Sequence, residues 1–414
     1  MANILVTGGA GYIGSTLVPM LLSKGHNVTV LDNFMYGQTS LNQLSHLKNF
    51  NVFNGDVRIK ADMFPILKQA DVIIPLAAYV GAPLCNKDPI GASSTNKDAI
   101  FMMLDYLSKD QVVLMPTTNS AYGTGLFCTE ESALNPISLY AKDKVEVEKK
   151  LMDHPNSISY RLATVFGMSP RMRIDLLVND FVHRAVTDGC AVLFESHFKR
   201  NYVHVRDVVN AFGHAINNFS DMKGNIYNVG LSEANVSKWE LCEAINQFVP
   251  TFTFIEAEIG KDPDQRNYIV SNEKLEKAGW KPVFTLDNGI QNIPESRRTP
   301  VLNGVEFAQF KKEVFEDNFR YFNKKEPTLE DVPLGYRYPE QTKFSTDWFG
   351  AILNNNAPYT DANLTISSGK GTMKSMFSVG YFKEAGSIVN TDYERISIRS
   401  NLGGQVNKFL NVGF

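Results

Sequence analysis

Over the first 290 or so residues, short apolar runs alternate with amphipathic stretches. "NILVTG" (3–8), "NVTVLD" (27–32), "ADVIIPLAA" (70–78) and "QVVLMPTT" (111–118) are rich in β-branched and other apolar residues and mostly end in small or polar ones. Each has the pattern of a parallel strand buried on both faces. Between them lie helical patterns such as "STLVPMLLSKG" (15–25), closed by Gly25 as a candidate C-cap. Strand and helix in alternation predict an α/β fold, a Rossmann-like doubly wound parallel sheet with ligands at the carboxyl ends of its strands. After residue 165 the pattern is patchier, which predicts a small C-terminal lobe (166–293) holding a second ligand.

A break follows at "QNIPESRRTPVLNG" (291–304), with two prolines, charges and no periodicity. Residues 294–302 are taken as a junction and 303–414 as a separate region. There "NGVEFAQFKKEVFEDNFRYF" (303–322) predicts an amphipathic helix, with Asn303 and Glu306 spaced as a capping box. Residues 323–348 are irregular. Four strands then follow at about 361–368, 372–382, 393–402 and 405–414, separated by turn residues as in an antiparallel meander.

Composition narrows the function. A 414-residue chain with 43% hydrophobic and 21% charged residues and a net charge of −3 suits two or three domains and offers no basic excess for nucleic acid. No run of 18 or more apolar residues predicts a membrane helix. Ile4–Val6 run straight into glycines rather than into a cleavage site, so a cytoplasmic enzyme is expected. The four cysteines and seven histidines are scattered, without CxxC or HxxxH spacing, and all lie before residue 299. No disulfide framework or metal site is expected.

"TGGAGYIG" (7–14) places Gly8, Gly11 and Gly14 between a strand and a helix. Such glycines permit a tight turn, close approach of a pyrophosphate and close helix packing. Asp32 ends the second strand, where a carboxylate accepts from ribose hydroxyls and repels a 2′-phosphate. No Arg follows in "DNFMYG", so NAD is expected over NADP. "SLYAKDK" (138–144) sets Tyr140 and Lys144 four residues apart on one helix face. A phenol, with an ordinary pKa of about 10, becomes a usable base when a cation one turn away, together with the positive nicotinamide of NAD⁺, stabilises its anion. On its own this spacing is commonly structural; the glycine turn, the acidic strand end and the hydroxyl-rich "PTTNSAYG" (116–123) change that weighting.

Together these features resemble the extended short-chain dehydrogenase/reductase family, in particular its nucleotide-sugar epimerases and dehydratases, over residues 1–293. The resemblance covers Tyr12 and Ile13 of the glycine turn, Asn33, Asp56 and Val57 of "GDVR", Leu76, Ala77 and Ala78 of "PLAA", and Asn96. It continues through "RLATVFG" (161–167), "RNYVHVRDV" (200–208) and "YNVG" (227–230) to Arg266. It implies that Tyr12, Ile13, Asn33, Asp56, Val57, Leu76, Ala77, Ala78 and Asn96, with Gly8, Gly11, Gly14, Asp32, Tyr140 and Lys144, hold NAD, and that Arg266 belongs to the substrate half. It also implies a triad in which Tyr140 takes a proton from a sugar hydroxyl, usually at C4, Thr118 hydrogen-bonds the same oxygen and Lys144 tunes the phenol. A homodimer follows from the resemblance alone.

The dehydratases of this family carry acids just after the threonine; here Asn119 and Ser120 stand there, so a C4 epimerase or 4-dehydrogenase is expected. Long strings such as "IIPLAAYVGAPLC" (73–85) and "DPDQRNYIVSN" (262–272) resemble the GDP-manno-heptose 4-dehydrogenases, although Ala121 replaces an expected glycine. Asn119, Ser120, Asn179, Arg171, Arg173, Arg200 and Arg266 are candidate substrate residues, the arginines for a diphosphate, with Arg200 and Arg266 favoured. Residues 169–181 show no helix or strand commitment and are expected to form a loop over the substrate. His204, Cys85 and Tyr122 are expected to be structural.

Residues 299–414 resemble another family, the TonB-dependent outer-membrane receptors of the SusC/RagA type, through "APYTDANLTISSG", "VGYFKEAGSIVNTDYER" and "RSNL". Four strands cannot close a membrane barrel. The expectation is a fused or misassembled fragment; the alternative is an accessory β domain native to the enzyme. A non-catalytic NAD sensor and a membrane receptor component are the competing functions. The complete Thr118, Tyr140, Lys144 set opposes the first, and the amino-terminal pattern opposes the second.

Overall fold

The computed structural model describes residues 1–257 and 266–295, parts of 308–341, and 359–370, 373–385, 392–407 and 410–413. It divides into two compact units, Met1–Arg297 and Arg298–Phe414.

The first unit is built on seven parallel strands: β1 (Asn3–Thr7), β2 (Asn27–Asp32), β3 (Phe50–Asn54), β4 (Val72–Pro75), β5 (Val112–Thr118), β6 (Ser157–Leu162) and β7 (Asn225–Val229). Their order is β7-β6-β5-β4-β1-β2-β3. The expected doubly wound sheet is therefore what the chain forms, with the order reversing between β1 and β4. Alternation along β1 explains the two layers. Ile4 and Val6 enter one apolar cluster with Leu17, Val18 and Leu21 of helix α1 (Gly14–Ser23). Leu5 enters the other with Val147 and Leu151 of helix α2 (Leu139–Leu151). Gly25 stops α1 at a φ of 81°, in the left-handed region where a glycine carries no steric cost.

Three small sheets and a second apolar cluster form the lobe beyond β6. Residues 164–166, 199–204 and 235–237 make one sheet, 190–193 pairs with 253–256, and 124–128 pairs with 267–270. Phe166, Val182, Tyr202, Leu241 and Ile290 lie in its core. Helix α3 (Leu177–Thr187) begins inside the stretch expected to be loop. Its Val178, Phe181, Val182 and Ala185 are buried at helical spacing, so the loop is confined to about 169–176.

In the second unit the described residues between 308 and 320 are helical. Asn303 and Glu306 lie outside the described residues. Strands β8 (Tyr359–Lys370), β9 (Met373–Ala385), β10 (Asp392–Asn407) and β11 (Leu410–Gly413) form an antiparallel meander. Its register aligns Leu364 with Val379 and Ile398, and Ile366 with Phe377, on one face. That face is solvent-exposed at Leu364, Ile366, Phe377, Ile396 and Ile398.

Candidate active site

Gly8 follows β1 with φ 67°, and a Cβ there would lie 2.5 Å from the Ala77 nitrogen. A Cβ on Gly14 would lie 2.5 Å from the Gly9 carbonyl, so the helix start packs directly on the turn. At Gly11 a Cβ would meet only the Gly8 carbonyl, at 3.1 Å, which leaves the space before the α1 N-terminus open. Asp32, buried at the end of β2, accepts from the backbone N–H groups of Ala10 (2.9 Å) and Phe34 (2.9 Å) and from Gln38 Nε2 (3.3 Å). The first of these bonds holds the glycine turn to the strand end, and the second shapes the chain just after β2. The third is to a side chain that ribose hydroxyls can replace. An open anion cradle beside an acidic strand end fits NAD.

The other residues expected around a dinucleotide are dispersed along the same strand ends. Asn33 Oδ1 accepts from the Met35 N–H (3.1 Å). Arg58 grips Asp56 through Nε (2.9 Å) and Nη2 (2.5 Å), which holds that carboxyl below its usual range; Val57 is buried in the core behind it. Leu76, Ala77 and Ala78 leave β4, half-buried, with the Leu76 N–H on the Thr7 carbonyl (2.9 Å). Asn96, fully buried, braces the following loop: its Oδ1 accepts from the Tyr79 N–H (2.8 Å) and its Nδ2 donates to the Tyr79 carbonyl (2.9 Å). Ile13 precedes α1, and the Tyr12 hydroxyl donates to the Gly167 carbonyl (2.6 Å).

Thr118 is the last residue of β5 and caps the turn Asn119–Tyr122. Its oxygen accepts from the Ser120 N–H (3.1 Å) and its hydroxyl donates to Ser120 Oγ (2.9 Å). Arg266 Nη1 also donates to Ser120 Oγ. With both lone pairs of that oxygen engaged, the Ser120 proton is left to point at a third acceptor. Asn119 is fully buried, and neither its Oδ1 nor its Nδ2 has a partner among the described residues. An unsatisfied buried amide is costly, and a bound polar ligand can relieve that cost.

Helix α2 starts where Ser138 caps it, its Oγ accepting from the Ala141 N–H (3.2 Å). One turn in, Lys144 Nζ lies 6.0 Å from the centre of the Tyr140 ring. Lys144 is buried, and loss of solvent lowers its pKa to about 8; the nearby charge of Asp143 opposes that fall. Burial pushes the half-buried Tyr140 up to about 12, reinforced by Cys85 and opposed by the charges of Arg173 and Arg266. The expected stabilisation of the phenolate joins Lys144 to the positive nicotinamide of NAD⁺; without that second charge, burial dominates and the phenol stands above its ordinary value.

Of the candidate arginines, Arg266 bonds to Ser120 beside Thr118. Arg171 stacks over Tyr36 (4.7 Å), beside a cleft of about 650 Å³ between 36–43 and 170–172, and its N–H donates to Ser15 Oγ (3.2 Å). That places Arg171 beside the residues that follow β2. Arg173 is held by Asp175 (Nε–Oδ1 3.1 Å), and Arg200 is buried in the strand Lys199–His204. Asn179 is occupied by backbone: its Oδ1 accepts from the Gly167 N–H (3.0 Å) and its Nδ2 donates to the Arg173 carbonyl (2.8 Å). His204 stacks on Phe284 (4.0 Å), and burial lowers its pKa to about 4, which suits a packing role. Among the described residues no group of three acidic, His or Cys side chains is arranged for a metal, and no helix is long and apolar enough to cross a membrane.

Sequence reasoning missed a buried ion pair behind the site. Arg161 of β6 bonds Glu148 of α2 at 2.6 Å, and Thr117 and Ser159 also donate to that carboxylate (3.1 and 2.7 Å). The signal was present: Glu148 lies one turn past Lys144 on the buried helix face.

The NAD dependent epimerase/dehydratase family matches the chain over residues 4–230. A putative UDP-glucose 4-epimerase of Methanocaldococcus jannaschii is 25% identical over 314 residues, covering 70% of this chain and 96% of that protein. UDP-glucuronic acid decarboxylase 1 of Arabidopsis thaliana is 27% identical over 320 residues, covering 73% and 71%. The crystal structure of a Thermus thermophilus UDP-glucose 4-epimerase in complex with NAD superposes with a TM-score of 0.63 at 25% identity, covering 72% of this chain and 100% of that one.

Proposed function

The chain belongs to the NAD dependent epimerase/dehydratase family, and from that premise we propose that it oxidises C4 of a nucleotide-activated sugar. The observation that carries this reading is the meeting of Thr118, Ser120 and Arg266 at the carboxyl end of β5, beside a helix that presents Tyr140 over Lys144. Bound NAD would supply the hydride acceptor. Tyr140 takes the hydroxyl proton as the C4–H bond breaks, and Thr118 and Ser120 hold the reacting oxygen. Bound oxidised cofactor would supply a positive charge that, with Lys144, lowers the phenol from its value of about 12, so that Tyr140 would take up its role as base only in the complex.

The finer form of the proposal is a GDP-heptose-like substrate, oxidised for surface polysaccharide synthesis. Epimerisation at C4 is the second reading, favoured by the epimerase relatives. Asn119 and Ser120 are not acids, which disfavours dehydration. Residues 299–414 take no part in this chemistry; they are proposed to be a receptor-like fragment, and the enzyme is proposed to comprise 1–165 for NAD and 166–293 for substrate.

Incubation with a panel of GDP- and UDP-sugars, following nicotinamide absorbance and product mass, tests the reading. Loss of two hydrogens marks net oxidation, and unchanged mass with altered configuration marks epimerisation. Loss of water, loss of carbon dioxide, or no product from any sugar overturns it. Removal of residues beyond 297 is expected to leave turnover unchanged within two-fold.

A further inference from the structure

The turn that presents Thr118 and Ser120 ends at Tyr122, and Tyr122 is the midpoint of a continuous buried hydrogen-bond path. We propose that Tyr122 is a positioning residue: its phenol latches the strand Asn267–Val270, and with it Arg266, against the turn that carries Thr118 and Ser120.

Each link is explicit. The Tyr122 oxygen accepts from Arg161 Nη1 (2.9 Å) while its hydroxyl donates to Asn228 Oδ1 (2.7 Å). Asn228, at the end of β7, passes the connection on, its Nδ2 donating to the Ser271 carbonyl (3.0 Å) just past the strand. Glu130 reinforces the crossing, its carbonyl accepting from Arg161 Nη1 (3.0 Å) and its Oε1 from the Asn228 N–H (2.7 Å). Glu148 anchors the other end, since it holds Arg161 to the helix that bears Tyr140 and Lys144. Tyr122, Arg161, Glu148 and Asn228 are all buried, so the bonds among these four are sheltered from water.

The strand needs such an anchor. It lies outside the seven-stranded sheet and pairs with 124–128 as a two-stranded unit, which is marginal by itself. Asn235 and Lys199 tie it to the lobe, through the Val270 N–H (2.8 Å) and Asn267 Oδ1 (2.9 Å). Tyr122 ties it to the sheet, by hydrogen bonds and by edge-on contact with Tyr268 (6.4 Å) in a small apolar cluster with Cys128 and Val270. Burial lifts the Tyr122 hydroxyl to about 12, so it keeps the proton that it donates to Asn228 throughout the working range.

Tyr122→Phe removes both bonds at nearly constant shape. Amide hydrogen exchange on the full chain is expected to speed at least ten-fold over 266–272 and to stay unchanged over 3–14 and 139–151. NAD affinity is expected within two-fold of wild type, and kcat/KM on UDP-glucose to fall about ten-fold. Thr117→Val, at the helix end of the same network, is expected to leave exchange over 266–272 unchanged. Unaltered exchange there in Tyr122→Phe, or an equal rise across the whole chain, overturns the latch. The turnover arm rests on the function proposed above and the exchange arm does not. A wild-type protein inert toward UDP-glucose removes that substrate, while exchange still decides the latch. Should Tyr122→Phe not fold, Asn228→Ser breaks the next link and is read by the same exchange pattern.

Discussion

Helix α2 carries two buried polar pairings one turn apart, Tyr140 with Lys144 and Glu148 with Arg161, and burial has opposite consequences for them. Around Glu148 every charge is answered: Arg161 grips it through Nε and Nη2, and Thr117 and Ser159 donate to the remaining lone pairs. Burial works against the Arg161 charge, but Glu148 more than compensates and the guanidinium is held well above its usual range. Around Lys144 compensation is incomplete, and its pKa falls to about 8 while that of Tyr140 climbs to about 12. The first pair is settled and the second is not: under the proposed reaction, the positive ring of the cofactor would favour the Tyr140 phenolate that burial disfavours. Satisfied burial marks scaffold, and unsatisfied burial marks the place where a ligand completes the structure.

The sharpest way to break this contrast is to remove the group expected to move the proton. Tyr140→Phe is expected to lower turnover by about three orders of magnitude or more while NAD binds within two-fold of wild type, as read by nicotinamide absorbance and calorimetry. Retained activity would leave the unsettled pair without a catalytic purpose. Next in size is the settled pair. Glu148→Leu strands a buried guanidinium and is expected to cost about 3–5 kcal/mol in urea unfolding. A loss under 1 kcal/mol would show that the network can rearrange around Arg161.

The same contrast explains what was legible in the sequence. β1, β2, β4 and β5 announce themselves because strands buried on both faces must be continuously apolar, and the glycine turn because its geometry admits few other residues. β3 gave no such signal: it is an edge strand, and Val52 and Phe53 are exposed. Helix α3 was hidden because its apolar residues face the lobe's own core, which only the tertiary fold assembles. Tyr140 and Lys144 stand out as a local spacing, whereas Thr118 is singled out only by the family resemblance. The contact of Arg266 with Ser120 joins residues 146 apart, and the Tyr122–Asn228 bond residues 106 apart, so no local pattern encodes either. The placement of Arg171 over Tyr36 was likewise invisible, since only the fold carries residue 171 back to the end of β2.

Smaller than the loss at Glu148, and opposite in sign, is the effect of removing the unanswered charge. The unfolded chain holds the Lys144 proton with an ordinary pKa of 10.5, whereas the folded chain releases it near 8. The unfolded state thus binds more protons between those values, and stability from this group rises with pH across that window. Below pH 8 the full cost applies, roughly 3 kcal/mol for a shift of this size. Lys144→Met is therefore expected to raise the melting temperature by several degrees at pH 7, with the gain gone near pH 10.5, while turnover collapses. A variant no more stable than wild type at pH 7 would mean that Asp143 already answers the charge.

The smallest expected effect separates scaffold from ligand contact at the cofactor end. Asp32 accepts from the backbone of Ala10 in the glycine turn and of Phe34 just past β2, and spends its third hydrogen bond on Gln38. Asp32→Asn places an amide donor where two N–H groups need an acceptor, and is expected to weaken NAD by about ten-fold, roughly 1.4 kcal/mol. Gln38→Ala removes only the partner that a ribose hydroxyl would displace, so NAD affinity by calorimetry is expected to stay within two-fold or tighten slightly. A ten-fold loss in Gln38→Ala would instead make the amide itself a ribose contact. The carboxylate would then belong with Glu148, as a group whose work is done before any ligand arrives.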